Sequence, residues 1–457
     1  MTQRRVVIVS NRGPLSFRVT DEGELAATRG AGGLVSGLAP LVAGTDATWI
    51  AAAITDGDRR AAERGTIEAE GFRVRTLAVD PATYRMAYDV VCNATLWFLH
   101  HGLFELARRP RFDTRFRVAW DAYREVNRAF AEVVADDAPE GAAVLIQDYH
   151  LALVPALLRE ARPDLHTVHF SHTPFANPDL WRVLPGDLGA ELLAGMAAAN
   201  ACGFHSGRWA DAFAACCLEQ IGTAPTTFVA PLAPDPDDMA GAAASDACAR
   251  EFAELDAAVG DRAFVVRVDR IELSKNLLRG FAAFEDMLER RPEWRERVVF
   301  GAYCYPSREG LPEYLAYRQE VETVVRTINE RWSTPSWTPI LFDPSDNFPR
   351  SVAALRRADV FLVNPIRDGL NLVAMEGPMV NERDAVLLLS PEAGSWDQMA
   401  GVARAVQPYD VSGTADALAG ALAAEPAERA EHAAATRAVA LARTPATWLA
   451  EQLAAAG

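Results

Sequence analysis

The sequence predicts an α/β protein built from two Rossmann-like domains, each a parallel sheet covered by helices. Three observations predict it. Short apolar, β-branched runs alternate with longer helical stretches along the chain. The alternation occurs twice, once in each half. A chain of 457 residues also exceeds what one hydrophobic core usually organises.

In the first half the expected strands are residues 5–10, 48–53, 72–79, 143–147, 167–171 and 201–205, with helices near 120–134 and 151–161. Residues 231–244 are rich in Pro, Asp, Ala and Gly, which favours turns over regular structure and marks a domain boundary. The expected domains are thus 1–234 and 235–457, with a cleft between them. A second series of strands follows at 263–268, 298–302, 339–342, 360–363 and 386–389, interleaved with helices near 277–289, 312–331 and 348–357. Beyond about Ala415 the chain is dominated by Ala, Glu, Arg and Leu, which reads as a surface helical cap. The last helix is expected to return towards the first domain.

The balance of 45 basic against 62 acidic residues gives a net charge of −17. Such a surface repels nucleic acid and anionic membrane but leaves room for a local phosphate site made of a few arginines and helix N-termini. Six cysteines form no CxxC pair and no zinc spacing, so reduced cytoplasm is the expected setting, and no metal or cofactor is expected. No apolar run is long enough to span a bilayer. Small-molecule substrates are the expected partners, and the composition allows a homo-oligomer.

In doubly wound sheets ligands bind beyond the carboxyl ends of strands, so polar clusters just after each apolar run are the candidate sites. The first is Ser10-Asn11-Arg12-Gly13 with Gly30-Ala31-Gly32-Gly33-Leu34, where glycines either let backbone approach a phosphate or form a tight turn. Next come Gln147-Asp148-Tyr149-His150 and His169-Phe170-Ser171-His172-Thr173-Pro174-Phe175 on adjacent strand ends. There Asp148 and His172 either bond sugar hydroxyls or serve the turns. In Val268-Asp269-Arg270-Ile271-Glu272-Leu273-Ser274-Lys275-Asn276, the cations Arg270 and Lys275 either neutralise one diphosphate or join a surface salt-bridge loop with Glu272. In Asn364-Pro365-Ile366-Arg367-Asp368-Gly369-Leu370-Asn371-Leu372-Val373-Ala374-Met375-Glu376, Asn371 is expected to open a helix, and Glu376 to accept from ribose hydroxyls one turn later.

Taken in order, SNRG, GAGGL, QDYHL, SHTPF, VDRIELSK, PSR and RDGLNLVAME resemble the retaining glycosyltransferases that include trehalose-6-phosphate synthase, glycosyltransferase family 20, which have the two-domain GT-B fold. The resemblance implies a nucleoside diphosphate sugar donor and a sugar phosphate acceptor. Arg270 and Lys275 would lie on the donor diphosphate, with the Gly32-Gly33 loop and the Leu372 amide beside the leaving phosphate. The donor would also run along Gly369, Leu370 and Asn371 to Glu376 at the ribose. Asp148, His172 and Asp368 would hold the transferred sugar, while Arg12, Tyr88, Trp97 and Arg308 would grip the acceptor phosphate. It implies transfer with retention, by front-face attack and without a metal.

The chain departs from the family pattern at Met375, where lysine is usual, at Asn276 in place of glycine, at Gln147 in place of histidine, and at Ser395-Trp396-Asp397. Asn276 and Val380-Asn381-Glu382-Arg383-Asp384-Ala385 are similar to the related pseudo-glycosyltransferase that couples a cyclitol donor to an amino-cyclitol phosphate, whereas GAGGL is more like a true glucosyl enzyme. The alternatives are therefore that coupling, a glucosylglycerol-phosphate synthase, and a silent sugar-phosphate sensor. Retention of Arg270, Lys275, Asp368 and Glu376 speaks against the last.

With cationic side chains in the place of an ion, transfer activity is expected to be the same with and without a chelator. Loss in EDTA that magnesium or manganese restores would point instead to metal chemistry.

Overall fold

A computed structural model describes residues 4–30 and 33–457. They form two compact units, Met1–Leu232 with Pro445–Gly457, and Ala233–Thr444. Among the described residues, the first unit holds an eight-stranded sheet. Its order is Thr227–Val229, Ala201–Phe204, His166–Ser171, Ala143–Gln147, Val6–Ser10, Thr48–Ala52, Phe72–Leu77 and Thr66–Ala69. Every pair is parallel except the last. In the centre of the sheet Ile8 lies between Leu145 and Trp49, all three buried, as expected of a strand covered on both faces.

Among the described residues, the second unit has an all-parallel six-stranded sheet: Ile340–Asp343, Val298–Pro306, Ala263–Ile271, Val360–Val363, Val386–Leu389 and Arg404–Ala405. The neighbouring strands Val298–Pro306 and Ala263–Ile271 run longer than their apolar cores. Their ladder continues through Asp269↔Cys304, Arg270↔Tyr305 and Ile271↔Pro306, so Asp269 and Arg270 stand on the strand and not in the turn after it. Hydropathy alone ends such a strand at its last aliphatic residue, whereas hydrogen bonding carries it on.

Three further expectations are corrected. Of the segment read as turns, Pro236–Ala244 is a helix. Pro236 fits its first turn, where no amide donor is needed, and the Asp235 carboxylate caps the amides of Asp237 and Asp238. The helix near 120–134 extends over Thr114–Asp137, started by the Asp113 cap, and the one near 151–161 begins at Val154 after a tight turn over Tyr149–Leu151.

The alanine-rich tail is helical, but its final helix, Pro445–Ala455, is more than a surface cap. Trp448 and Gln452 are fully buried, and Leu449 and Leu453 pack against a first-unit cluster of Ala143, Leu145 and Val168. Elements that apolar periodicity did not suggest include the hairpin Leu15–Val19 with Leu25–Arg29 and the wide π-helical run Met86–Trp97. Among the described residues, no helix is long and apolar enough to cross a membrane.

At the amino ends of the second sheet, buried Asp359 accepts from the Phe264 amide at 2.9 Å and pairs with Arg429 at 3.0 Å, Arg383 at 3.3 Å and Arg357 at 3.4 Å. Removing one member of such a cluster strands the charges left behind. Asp359→Ala is therefore expected to cost about 3 kcal/mol in urea unfolding. A loss below about 1 kcal/mol would show the cluster to be solvated.

Candidate functional site

In the second unit the site grows from buried Arg267, whose Nε donates to Asp269 at 2.9 Å. Its far nitrogen donates to the Lys275 carbonyl and to the Asn364 side chain, each at 2.6 Å. One guanidinium thus ties two strand ends to the loop between them. Gly280 is required here, because a β-carbon would run into that guanidinium. After the tight turn Leu273–Lys275 the chain passes through Asn276 at φ 61°, a left-handed conformation that suits glycine. Asparagine tolerates it better than most side chains, and here its amide donates to the carbonyls of Asn364 at 3.0 Å and Pro408 at 2.6 Å.

This turn delivers the Lys275 ammonium to Asp368 at 2.6 Å, with Asp269 at 3.8 Å. Burial pulls the lysine pKa down, but Asp368 and Asp269 outweigh it and hold it above its ordinary value. Burial raises the Asp269 carboxyl against the opposing pull of Arg267 and Lys275. Asn371, at φ 78°, donates to Asp368 at 3.1 Å. It does not open the helix, which spans Val373–Val380 with Leu372 at its cap. The Asp368-Gly369-Leu370 turn is clamped by bonds from the Gly394 amide to the Asp368 carbonyl at 3.1 Å and from the Ser395 amide to the Leu370 carbonyl at 2.8 Å. Gly394 lies so close that a β-carbon would overlap the Gly369 carbonyl. In the first turn of the helix, burial pushes Glu376 up to about 7, with Lys275 opposing.

Arg270 and Arg308, assigned from sequence to two different phosphates, share one carboxylate. Glu272, fully buried, receives Arg270 at 3.0 Å, the Ser307 hydroxyl at 3.0 Å and Arg308. The reading of Glu272 as part of a surface loop is therefore corrected. Sequence patterning places it after a strand but carries no sign of its burial.

In the first unit, Asp148 follows its strand at φ 72°. Its amide bonds the Phe170 carbonyl at 2.7 Å, its carbonyl faces His169 Nε2 at 3.1 Å, and its carboxylate accepts from the His172 amide at 3.2 Å. Asp148 and His172 are thus brought together. Tyr88 and Trp97 lie on the π-helical run, where Tyr88 stacks between Tyr84 and His150, each at 5.7 Å, and Trp97 stacks on His101 at 3.9 Å. Wide turns of this kind recur at functional sites. Arg12 is exposed, and its carbonyl is held by Ser10 at 2.6 Å. Gly30 approaches Gly13 too closely for a β-carbon, Gly33 begins the helix Gly33–Val42, and Gly32 lies outside the described residues.

Residues that sequence reasoning missed are Arg267, Tyr84, His205 and Gln452. Arg267, inside an apolar strand, was the one with a visible signal, since a lone cation there must have a partner. Among the described residues no group of three His, Cys, Asp or Glu side chains gathers as metal ligands.

A family model described as glycosyltransferase family 20 matches residues 4–456. A probable alpha,alpha-trehalose-phosphate synthase (UDP-forming) of Arabidopsis thaliana is 31% identical over 435 residues, covering 92% of this chain and 52% of that protein. The chain thus spans about half the length of that relative. Among solved structures, the E. coli trehalose-6-phosphate protein bound with UDP-2-fluoro glucose has a TM-score of 0.86 at 25% identity, covering 98% of this chain and 99% of that one. The Burkholderia xenovorans alpha,alpha-trehalose-phosphate synthase (UDP-forming) in complex with glucose-6-phosphate has a TM-score of 0.84 at 26% identity, covering 98% of each chain. The fold is GT-B, as expected from the sequence.

Glu376 takes up its proton at about 7 in the folded chain against 4.5 for the free group. Its contribution to stability is full below pH 4.5 and is lost as pH rises to about 7. Relative to Glu376→Gln, the parent chain should lose about 3 kcal/mol of unfolding free energy across that window and nothing more above it. A constant difference between the two chains through the window would place Glu376 in water.

Proposed function

The chain belongs to glycosyltransferase family 20, and we propose that it transfers a glucosyl unit from UDP-glucose to glucose 6-phosphate with retention, releasing UDP and forming alpha,alpha-trehalose 6-phosphate. The observation that carries this reading is the meeting of Arg270 and Arg308 on buried Glu272. Transfer between two phosphorylated substrates needs a cation for the donor diphosphate beside a cation for the acceptor phosphate, and one carboxylate sets that spacing. The relative named UDP-forming and the neighbours bound with UDP-2-fluoro glucose and glucose-6-phosphate support the choice of substrates.

In the reaction the bond from the anomeric carbon to the diphosphate oxygen breaks, and the acceptor hydroxyl oxygen bonds to that carbon on the same face. The hydroxyl proton passes to the departing phosphate oxygen. Lys275 and Arg270 meet the charge that develops there, and both are held by carboxylates before substrate arrives, so little reorganisation is needed. The family resemblance assigns Asp368 and Asp148 to sugar hydroxyls, Glu376 to the ribose, and Arg12, Tyr88, Trp97 and Arg308 to the acceptor phosphate. No metal is assigned a step. Six free, buried cysteines suit a reducing cytoplasm.

The departures from the family pattern do not argue for a pseudo-sugar donor. Asn276 is engaged in holding its turn, and Asn381 caps the loop before a strand, donating to the carbonyls of Leu355 and Ala358 at 2.9 Å each. That loop lies at the amino end of the sheet, opposite the carboxyl ends that carry the site. Met375 is buried, so the lysine it replaces would need a partner there.

Release of UDP from UDP-glucose in the presence of glucose 6-phosphate tests the reading. Lys275→Ala and Arg270→Ala should each lower kcat about a hundredfold with the fold intact. Plain glucose should be a very poor acceptor, and Arg308→Ala should erase much of the preference for its phosphate, because charge-assisted bonds contribute about 1.5 to 3 kcal/mol each. Equal rates with phosphorylated and plain acceptors would overturn the assignment.

A further inference from the structure

A chain of buried hydrogen bonds crosses the first unit, and its direction follows from one end. The Leu232 amide, which can only donate, meets His205 Nδ1 at 3.3 Å. A neutral His205 must therefore carry its proton on Nε2 and donate to His172 Nδ1, 3.1 Å away. His172 then carries its own proton on Nε2 and donates to Gln147 Oε1 at 2.9 Å. That orients the Gln147 amide, whose nitrogen donates to Gln452 Oε1 on the final helix at 3.1 Å. Reversing the Gln452 amide would force Gln147 to turn its NH2 on the His172 proton, so the whole chain has one consistent arrangement. Burial, with His205, His169 and His150 adding to it, holds His172 well below the ordinary histidine pKa, which keeps it neutral.

We infer that Gln147 and Gln452 are positioning residues: they close a one-directional chain that engages both ring nitrogens of His172 inside the unit, so that the imidazole anchors the cluster and Asp148 meets the transferred sugar. The His172 backbone amide holds the Asp148 carboxylate at 3.2 Å, so the ring and the carboxylate are anchored on one residue. Trp448 of the same final helix packs edge-on against Phe170 at 5.2 Å and lies 5.7 Å from His172. The last helix thereby reaches the site through two side chains, one polar and one aromatic. An amide in place of the usual histidine at 147 keeps the chain continuous without adding a group that titrates. The titratable groups about His172 are Asp148, His150, His169 and His205. The functional half of this inference rests on the sugar-transfer reading; the proton arrangement does not.

Histidine-labelled protein and long-range nitrogen correlation spectra test the arrangement directly. In the unaltered chain His172 should be neutral with its proton on Nε2 throughout the neutral range, and a proton on Nδ1 would overturn the inference whatever the protein catalyses. Gln147→Leu removes the acceptor. With the tautomer still set from the Leu232 end, it should leave the proton on Nε2, shift the His172 Nε2 resonance and lower kcat by up to about a hundredfold while leaving the KM for the sugar phosphate unchanged. Gln147→His, which accepts with one nitrogen and donates with the other, should restore kcat at high pH and add an acidic limb to its pH profile. An unchanged His172 Nε2 resonance and an unchanged kcat in Gln147→Leu would exclude the positioning role.

Discussion

Carboxylates buried beside cations at the ends of parallel strands are the constraint on which the second unit depends. Arg267, Asp269, Lys275 and Asp368 form a continuous ladder of opposite charges. Taking such groups out of water costs several kcal/mol each, and the cost is met only when every charge has close partners. The ladder therefore specifies more than it stabilises. It holds two strand ends and two loops in one geometry, and it presents Lys275 already charged and already placed. Under the proposed function, a substrate phosphate arriving there would exchange one anionic partner for another, which is less demanding than recruiting a mobile surface lysine.

The same economy governs Arg270 and Arg308. A buried glutamate between two guanidiniums keeps them apart from one another's repulsion and fixes their separation. Arg308 reaches this position from a left-handed backbone at φ 47°, and Asp148, Asn276 and Asn371 are likewise left-handed. Four functional or site-supporting residues thus share a positive φ, which costs non-glycine residues energy and places local strain where recognition is expected. Each is held by surrounding hydrogen bonds or ion pairs.

The final helix gives the first unit a part of its core from the far end of the chain. Its apolar face covers Leu145 and Val168, and its polar Gln452 closes the bond chain that runs through His172. Alanine-rich composition suggested a helix but not this role, because helix propensity is a property of neighbours in sequence, while burial of Trp448 is a property of what the helix meets.

The sequence by itself determined the α/β class, the two-fold repetition of strand and helix, and the strand ends that carry Asp148, Lys275 and Asp368. It did so because period, β-branching and glycine placement act through local backbone preference, and because ordered motifs identify a family more surely than any one of them. What only the tertiary structure decided is how these residues are held. The strand carrying Arg270 outlasts its apolar core because its neighbour's backbone continues to pair with it. Glu272 is buried because Ser307 and two arginines arrive from elsewhere. The proton of His172 is placed by a backbone amide and a glutamine that lie 60 and 280 positions away, at Leu232 and Gln452. Charge pairing and hydrogen-bond direction depend on distance in space, which local sequence does not encode.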